Sequence, residues 1–126
     1  MDDAWTRWRW LLVVAIAALG VACSSSPDTS AGAALFSRES FGEVQGCSSC
    51  HSVTNRPSVS GPSLLGVGGW AGSRVEGVSA EDFIRESILA PTAHFADGWG
   101  EGMPSYAGLL TADEVEALVD YLASLR

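Results

Sequence analysis

The C-terminal stretch of the chain has the clearest hydrophobic repeat. Its apolar side chains recur every three or four residues, at Val115, Leu118, Val119, Leu122 and Leu125. This spacing places them on one face of a helix. Thr111 and Glu114 stand three residues apart where the repeat begins, as in a capping box. The pattern therefore predicts an amphipathic helix that begins after Thr111 and packs one face against a core.

Two weaker helical repeats precede this one. The first predicts a helix over about residues 31–44, and the second predicts a helix over about residues 79–89 that Ser79 caps and Pro91 ends. Residues 52–78 are rich in glycine, show no period and predict irregular loop. No segment is long enough to predict a sheet. The fold class that follows is all-α, with three main helices joined by loops.

The N-terminal apolar run is of a different kind. Residues 11–22 read LLVVAIAALGVA and follow two arginines. The run is shorter than the roughly 20 residues of a membrane-spanning helix, so it predicts a signal peptide over residues 1–22. Residues 19–23 resemble the lipobox of bacterial lipoproteins, which implies that Cys23 is lipidated. Ordinary cleavage with soluble export, and an uncleaved anchor, remain the alternatives.

The segment after the signal peptide predicts a spacer. Residues 24–32 read SSSPDTSAG, and such small polar residues do not bury a core. We therefore divide the chain into a signal peptide (1–22), a lipidation site with a flexible tether (23–32) and one domain (33–126). The expected location is the periplasmic side of a bacterial membrane, with the domain exported and held by a lipid anchor.

Charge narrows the classes of partner. The 126 residues contain 15 acidic and 7 basic side chains, for a net charge of −8, and no lysine. Nucleic-acid binding needs a basic face and is excluded. Adhesion to anionic lipid through charge is disfavoured for the same reason. Contact with a membrane is therefore expected through the N-terminal anchor alone.

One pentapeptide carries the chemistry. Residues 47–51 read Cys-Ser-Ser-Cys-His, which is the C-x-x-C-H attachment motif of a c-type haem. In this motif Cys47 and Cys50 bind the two vinyl groups of one porphyrin, and His51 binds the iron. Zinc would need a second pair of ligands, a thioredoxin-like dithiol would need a βαβ pattern, and a disulfide over so short a loop stabilises little. The sequence therefore predicts one covalent haem with His51 as an axial ligand.

The other axial ligand is predicted from loop context. Met103 lies between Gly102 and Pro104, an unusual setting for a methionine that only fills a core. His94 is the other candidate, and we interpret it as a surface or hydrogen-bonded loop histidine. Ligation by His51 and Met103 leaves no open position on the iron, which favours electron transfer over catalysis.

The order of these features resembles the small single-haem cytochrome c family of class I. Residues 61–66, 83–91 and 103–110 resemble more closely the cytochrome c domain that is fused to subunit II of some bacterial cytochrome c oxidases. The resemblance covers about residues 33–126 and implies a small cytochrome c fold, with three main helices and loops around one covalent haem. It also implies that the Pro62 carbonyl accepts a hydrogen bond from the histidine ligand, His51, which would orient that ligand.

One further set of contacts follows from the resemblance. The first and last helices are expected to cross where Gly32 and Phe36 meet Leu118 and Tyr121. A separate expectation is that the indole of Trp70 and the guanidinium of Arg74 reach the haem propionates, because buried carboxylates need such donors.

The expected function is one-electron transfer in a respiratory chain, by a carrier and not an enzyme. The oxidase subunit's copper-binding domain has no counterpart in these residues, so we expect a free-standing cytochrome that delivers electrons to or within a terminal oxidase. A subunit of the quinol-oxidising complex or of the oxidase remains the alternative. Its expected partners are a quinol-oxidising complex and cytochrome c oxidase. The alternative is a haem-based sensor or peroxidase-like enzyme in which the methionine ligand is displaced, with His94 as the polar group near the opened position.

Overall fold

The computed structural model describes residues 28–58, 60–95 and 98–126. Four α-helices account for most of the regular structure: α1 (Ser30–Phe36), α2 (Val67–Trp70), α3 (Ala80–Leu89) and α4 (Ala112–Ser124). Two strands of two residues each, β1 (Ser40–Phe41) and β2 (Val44–Gln45), form the one sheet in the described ranges. The predicted all-α class is confirmed. The predicted signal peptide and Cys23 lie outside the described residues.

Helices α3 and α4 begin where the sequence predicts. The Thr111 side chain accepts a hydrogen bond from the Glu114 backbone N–H at 3.2 Å, and the Glu114 carboxylate accepts one from the Thr111 N–H at 2.9 Å. The predicted capping box is therefore present. At the start of α3, the Ser79 hydroxyl accepts from the Asp82 N–H at 3.0 Å, which makes Ser79 the N-cap.

Helices α1 and α4 cross at a glycine, as the resemblance implies. A Cβ atom on Gly32 would overlap the carbonyl oxygen of Ala117 and lie 2.5 Å from the Cβ of Tyr121, so only glycine lets the two backbones approach. The rings of Phe36 and Tyr121 meet beside it with centroids 5.9 Å apart, and Leu118 is fully buried. Helix α1 begins at Ser30, within the segment that the sequence predicts as tether up to residue 32.

The first helix is shorter than predicted. It ends at Phe36 and not near Val44, and the chain then turns through the β1–β2 hairpin, in which Phe41 pairs with Val44. Gly42 allows the turn because its φ of +64° is unfavourable for residues that carry a Cβ. Phe41 is buried in the core from its strand, so its apolar character reflects the hairpin and not a continued helix.

The glycine-rich stretch also departs from the prediction of irregular loop. It contains α2 and, directly after it, a 3-10 helix over Ala71–Ser73. Gly68 lets α2 lie against the end of α4, because a Cβ there would overlap the Ala123 carbonyl. The Gly68 N–H donates to the Leu125 carbonyl at 2.9 Å, and the Arg126 guanidinium donates to the Gly68 carbonyl at 2.6 Å. These bonds fix one wall of the cavity described below.

An exposed ion-pair network joins α3 to α4. The Arg85 guanidinium donates to the Glu116 carboxylate at 2.7 Å and to Asp82 at 2.6 Å. The two carboxylates raise the pKa of Arg85, and Arg85 lowers the pKa of Glu116.

In the described part of the chain, none of the helices has the length and apolar character that crossing a membrane requires.

Candidate functional site

A cavity of about 350 Å³ opens between α3, α4 and the loop that carries Met103. This volume lies within the range of about 300–1,000 Å³ that is usual for ligand and cofactor pockets. Cys47, Cys50, His51 and Met103 all border the cavity. The structure thus brings the haem-attachment motif to the same cavity as Met103, although the two are far apart in the sequence.

Cys47 begins a short 3-10 helix, Cys47–Ser49, at the rim of the cavity, and Cys50 follows directly as its C-cap. The Cys47 carbonyl accepts hydrogen bonds from the N–H groups of Cys50, at 3.2 Å, and His51, at 3.0 Å. This tight turn holds both thiols and the imidazole on one rim. Both thiols are free and half-buried, and burial raises the pKa of Cys47. They are therefore unpaired with each other, as attachment to a third group requires.

His51 is oriented by a backbone carbonyl. Its Nδ1 lies 2.8 Å from the Pro62 oxygen, which is the hydrogen bond that the resemblance implies. A carbonyl only accepts, so Nδ1 carries the proton and Nε2 keeps its lone pair for a metal. The Pro62 loop is fixed in turn, because the N–H of Gly61 donates to the Cys50 carbonyl at 3.1 Å and that of Leu64 donates to Ser52 at 2.8 Å.

Met103 is half-buried and packs against the core. The residues after it are tied to the end of α3. The Ser105 hydroxyl donates to the Leu89 carbonyl at 2.6 Å, and the Tyr106 N–H donates to the Ile88 carbonyl at 3.1 Å. These bonds satisfy carbonyls in the last turn of α3 and hold the methionine loop against the cavity.

His94 borders the same cavity but has a partner of its own. Its Nε2 lies 2.8 Å from the Glu86 carboxylate, and its ring stacks on Phe83 with centroids 5.8 Å apart. The interpretation of His94 as a hydrogen-bonded loop histidine agrees with this geometry.

Trp70 and Arg74 also border the cavity, and they contact each other. The Trp70 indole N–H donates to the Leu65 carbonyl at 3.1 Å, and the Arg74 guanidinium lies 4.7 Å from the centroid of the Trp70 ring. The indole donor is thus bonded to the backbone in this structure. Recognition of the haem propionates by these two residues stays a prediction.

Two residues of the site have roles that the sequence analysis missed. A Cβ on Gly61 would lie 2.7 Å from Cε1 of His51, so glycine makes room for the imidazole. Tyr106 is buried beside the cavity and donates its hydroxyl to the Gln45 carbonyl at 2.6 Å. Both residues lie in segments that carry the resemblance, and that is the only hint of them in the sequence.

The donor set fits a covalently attached iron porphyrin. Two thiols, one imidazole with a free Nε2 and one thioether surround a largely apolar space. The described ranges contain no cluster of three or more His, Cys, Asp or Glu side chains of the kind that a zinc site uses. The residues therefore suit a flat apolar group that is bound through its edge and through its metal.

Comparison with known proteins agrees with this geometry. A family model described as "Cytochrome c" matches residues 29–126, which include the whole cavity. No curated protein matches the chain. The family's cofactor is covalently attached haem c, and the spacing of Cys47 and Cys50 is the spacing that its attachment requires. Because the match spans nearly the whole chain beyond the N-terminal segment, the chain belongs to the cytochrome c family and carries haem c.

Proposed function

We propose that this cytochrome is a one-electron carrier in a respiratory chain, with His51 and Met103 as the axial ligands of its haem. A haem-based electron-transfer role follows from the family. The observation that supports this ligand pair is the Nδ1 contact of His51 with Pro62, because it leaves Nε2 free on a cavity that Met103 also borders. The respiratory chain is proposed from the resemblance to the oxidase cytochrome c domain.

Bound haem supplies the one-electron couple, and the chain supplies its surroundings. Cys47 and Cys50 hold the group by its edge, while the Pro62 carbonyl makes the His51 imidazole a stronger donor. A thioether from Met103 favours the reduced form of iron and raises the potential. If both His51 and Met103 bind the iron, no position on it would be left for a substrate. The arrangement therefore suits outer-sphere electron transfer.

Substitution of Met103 tests the ligand assignment. We expect both Met103→Ala and Met103→Leu to abolish the sulfur-to-iron charge-transfer band of the oxidised protein and to lower the reduction potential. Leu keeps most of the side-chain volume, so its effect isolates the loss of sulfur. His94→Ala is the matched control and should leave the band in place. A wild-type spectrum without the band, together with a spectrum that changes in His94→Ala and not in either Met103 variant, would make His94 the ligand.

The same spectra address the alternative of a sensor or peroxidase-like enzyme. Its polar group near an opened iron position would be His94, and His94 is instead bonded to Glu86. An electron carrier should bind cyanide slowly in its oxidised form, since cyanide must first displace the thioether. Rapid saturation at low cyanide would support the sensor or enzyme.

We further propose that the cytochrome is exported and anchored by lipid at Cys23. Its proposed redox partners are a quinol-oxidising complex and a terminal oxidase related to those whose subunit II carries the cytochrome c domain that this chain resembles. The support is the lipobox-like sequence and the small polar residues after it. The protein should fractionate with membranes, and Cys23→Ser should release it with its haem retained. A mature N-terminus at an unmodified Cys23 would indicate soluble export, and one at Met1 would indicate an uncleaved anchor.

A further inference from the structure

The loop that carries Met103 is joined to the segment that carries the cysteines by one side chain. Tyr106 lies three residues after Met103 and is 4% exposed. Its hydroxyl donates to the carbonyl oxygen of Gln45 at 2.6 Å. Gln45 ends strand β2 and stands two residues before Cys47. The hydrogen bond therefore spans the two sides of the haem cavity.

The ring of Tyr106 is fixed independently of this bond. It packs edge-on against Phe41 of strand β1, with centroids 5.5 Å apart, and its backbone N–H donates to the Ile88 carbonyl. Phenylalanine would fill the same space and keep both contacts. The hydroxyl is thus not needed for packing, and a buried hydroxyl lowers stability unless it has a partner.

The Tyr106 hydroxyl remains a donor at every ordinary pH. Burial is the main cause that raises the pKa of Tyr106 to about 12, and the neighbouring thiols Cys47 and Cys50 contribute through charge. Haem attachment converts those thiols into uncharged thioethers, while the burial remains. The bond to Gln45 therefore stays formed across the range in which a cytochrome works.

We propose that Tyr106 is a positioning residue for the axial thioether: its hydroxyl ties the Met103 loop to the strand that leads into the haem-attachment motif. The bond sets the separation between that loop and the attached edge of the haem, and it resists opening of the loop away from the iron. This inference rests on the proposed ligand role of Met103.

Tyr106→Phe in the full-length holoprotein tests the inference. Removal of the hydroxyl should make cyanide binding to the oxidised protein about fivefold faster, the factor that corresponds to a net hydrogen bond of about 1 kcal/mol. The reduction potential should fall, because a loosened thioether stabilises reduced iron less. Amide hydrogen exchange in residues 40–46 should also become faster, since strand β2 loses its tie to the loop.

Tyr121→Phe is the matched control, because it removes a hydroxyl from a ring that packs on Phe36 at the α1–α4 crossing. It should leave the cyanide rate, the potential and the exchange of residues 40–46 unchanged. If Tyr106→Phe behaves like Tyr121→Phe, the inference is wrong. Faster exchange without a change in cyanide rate or potential would show a structural bond only, and would also overturn it. Failure of the ligand assignment is read separately, from a sulfur band that persists in Met103→Ala.

Discussion

The imidazole of His51 is held from two directions. The Pro62 carbonyl fixes Nδ1 at 2.8 Å, and Gly61 offers a surface without a side chain against the ring edge. Pro62 accepts the hydrogen bond from the ring, and Gly61 leaves room for the ring because it has no side chain. The Gly-Pro pair therefore orients the His51 imidazole, beyond its role as a turn.

Gly61→Ala should disturb that orientation. The new Cβ would lie 2.7 Å from Cε1 and 2.9 Å from Nδ1 of His51, so the imidazole must rotate or move and the Pro62 hydrogen bond lengthens. We expect a lower yield of holoprotein and a lower thermal midpoint, measured by haem staining after denaturing electrophoresis and by absorbance melting. Gly69→Ala is the control, since a Cβ there meets nothing within 4 Å. Equal yields for the two variants would contradict this role of Gly61.

The haem-attachment residues could be predicted from sequence because their chemistry is local. C-x-x-C-H places two thiols and a metal ligand within five positions, and the spacing alone excludes most other uses. Tyr106 is the opposite case. Its partner is a backbone carbonyl 61 positions earlier in the chain, and a backbone acceptor leaves no mark on the residue that supplies it. Such a bond is found only when the fold has placed the two segments together.

At the scale of elements, boundaries were predictable where a cap marks them. Ser79 and Thr111 begin α3 and α4 as expected, because each side chain bonds the N–H three residues later. The end of α1 has no such marker. Phe41 fits a helical repeat as well as a buried strand position, and a pair of two-residue strands is too short for the alternation that identifies strands.

The capping box of α4 makes stability depend on acid. The hydrogen bond from the Thr111 backbone, followed by that from its hydroxyl and the nearby Arg38, lowers the pKa of Glu114 below its usual 4.5. Because the pKa of Glu114 is lower in the folded state, its carboxylate contributes stability that is fully present above pH 4.5. This contribution is lost as the pH falls through the folded-state pKa. We therefore expect Glu114→Gln to have a lower free energy of unfolding in urea than the wild type at neutral pH. The difference between the two proteins should become smaller as the pH drops below 4.5.

Asp113→Asn is the control for this titration, since it removes a charge from the same first turn without entering the capping box. Its difference from the wild type should change less over the same pH range. A Glu114→Gln loss of unfolding free energy that is independent of pH would mean that the charge of the carboxylate does not stabilise the fold.

Thr111→Ala should lower the free energy of unfolding by about 1 kcal/mol at neutral pH, the usual contribution of an N-cap side chain. The same urea unfolding measures this loss.

At the scale of the whole molecule, several arginine side chains bond to acidic side chains or backbone carbonyls of the same chain. Arg85 bonds Asp82 and Glu116, Arg126 bonds a backbone carbonyl, and Arg38 lies 3.6 Å from Glu114. The chain nonetheless has a net charge of −8 and no lysine. Glu101 is exposed and borders the cavity, as do the half-exposed rings of Phe95 and Trp99. The Met103 side of the molecule thus combines exposed apolar surface with negative charge.

That combination predicts how electron transfer responds to salt. We expect a partner with a basic docking face, so transfer from reduced cytochrome (residues 28–126) to washed membranes of the source cell should slow as salt rises. Screening shortens electrostatic steering to about 8 Å at physiological ionic strength. The soluble domain is used because a tether raises the effective concentration and would mask the effect.

Two variants separate charge from apolar contact in the same stopped-flow series. Glu101→Gln should flatten the salt dependence, because it removes a charge beside the cavity while its shape is kept. Trp99→Ala should slow transfer at every salt concentration, because it removes exposed apolar area without changing charge. Rates that rise with salt would mean that the partner is itself acidic at the contact, against the proposal. A second contrary outcome is a wild-type rate that does not change with salt, together with a lower rate only in Trp99→Ala. It would mean that the protein docks through the apolar surface of Phe95 and Trp99 and that its negative charge serves solubility alone.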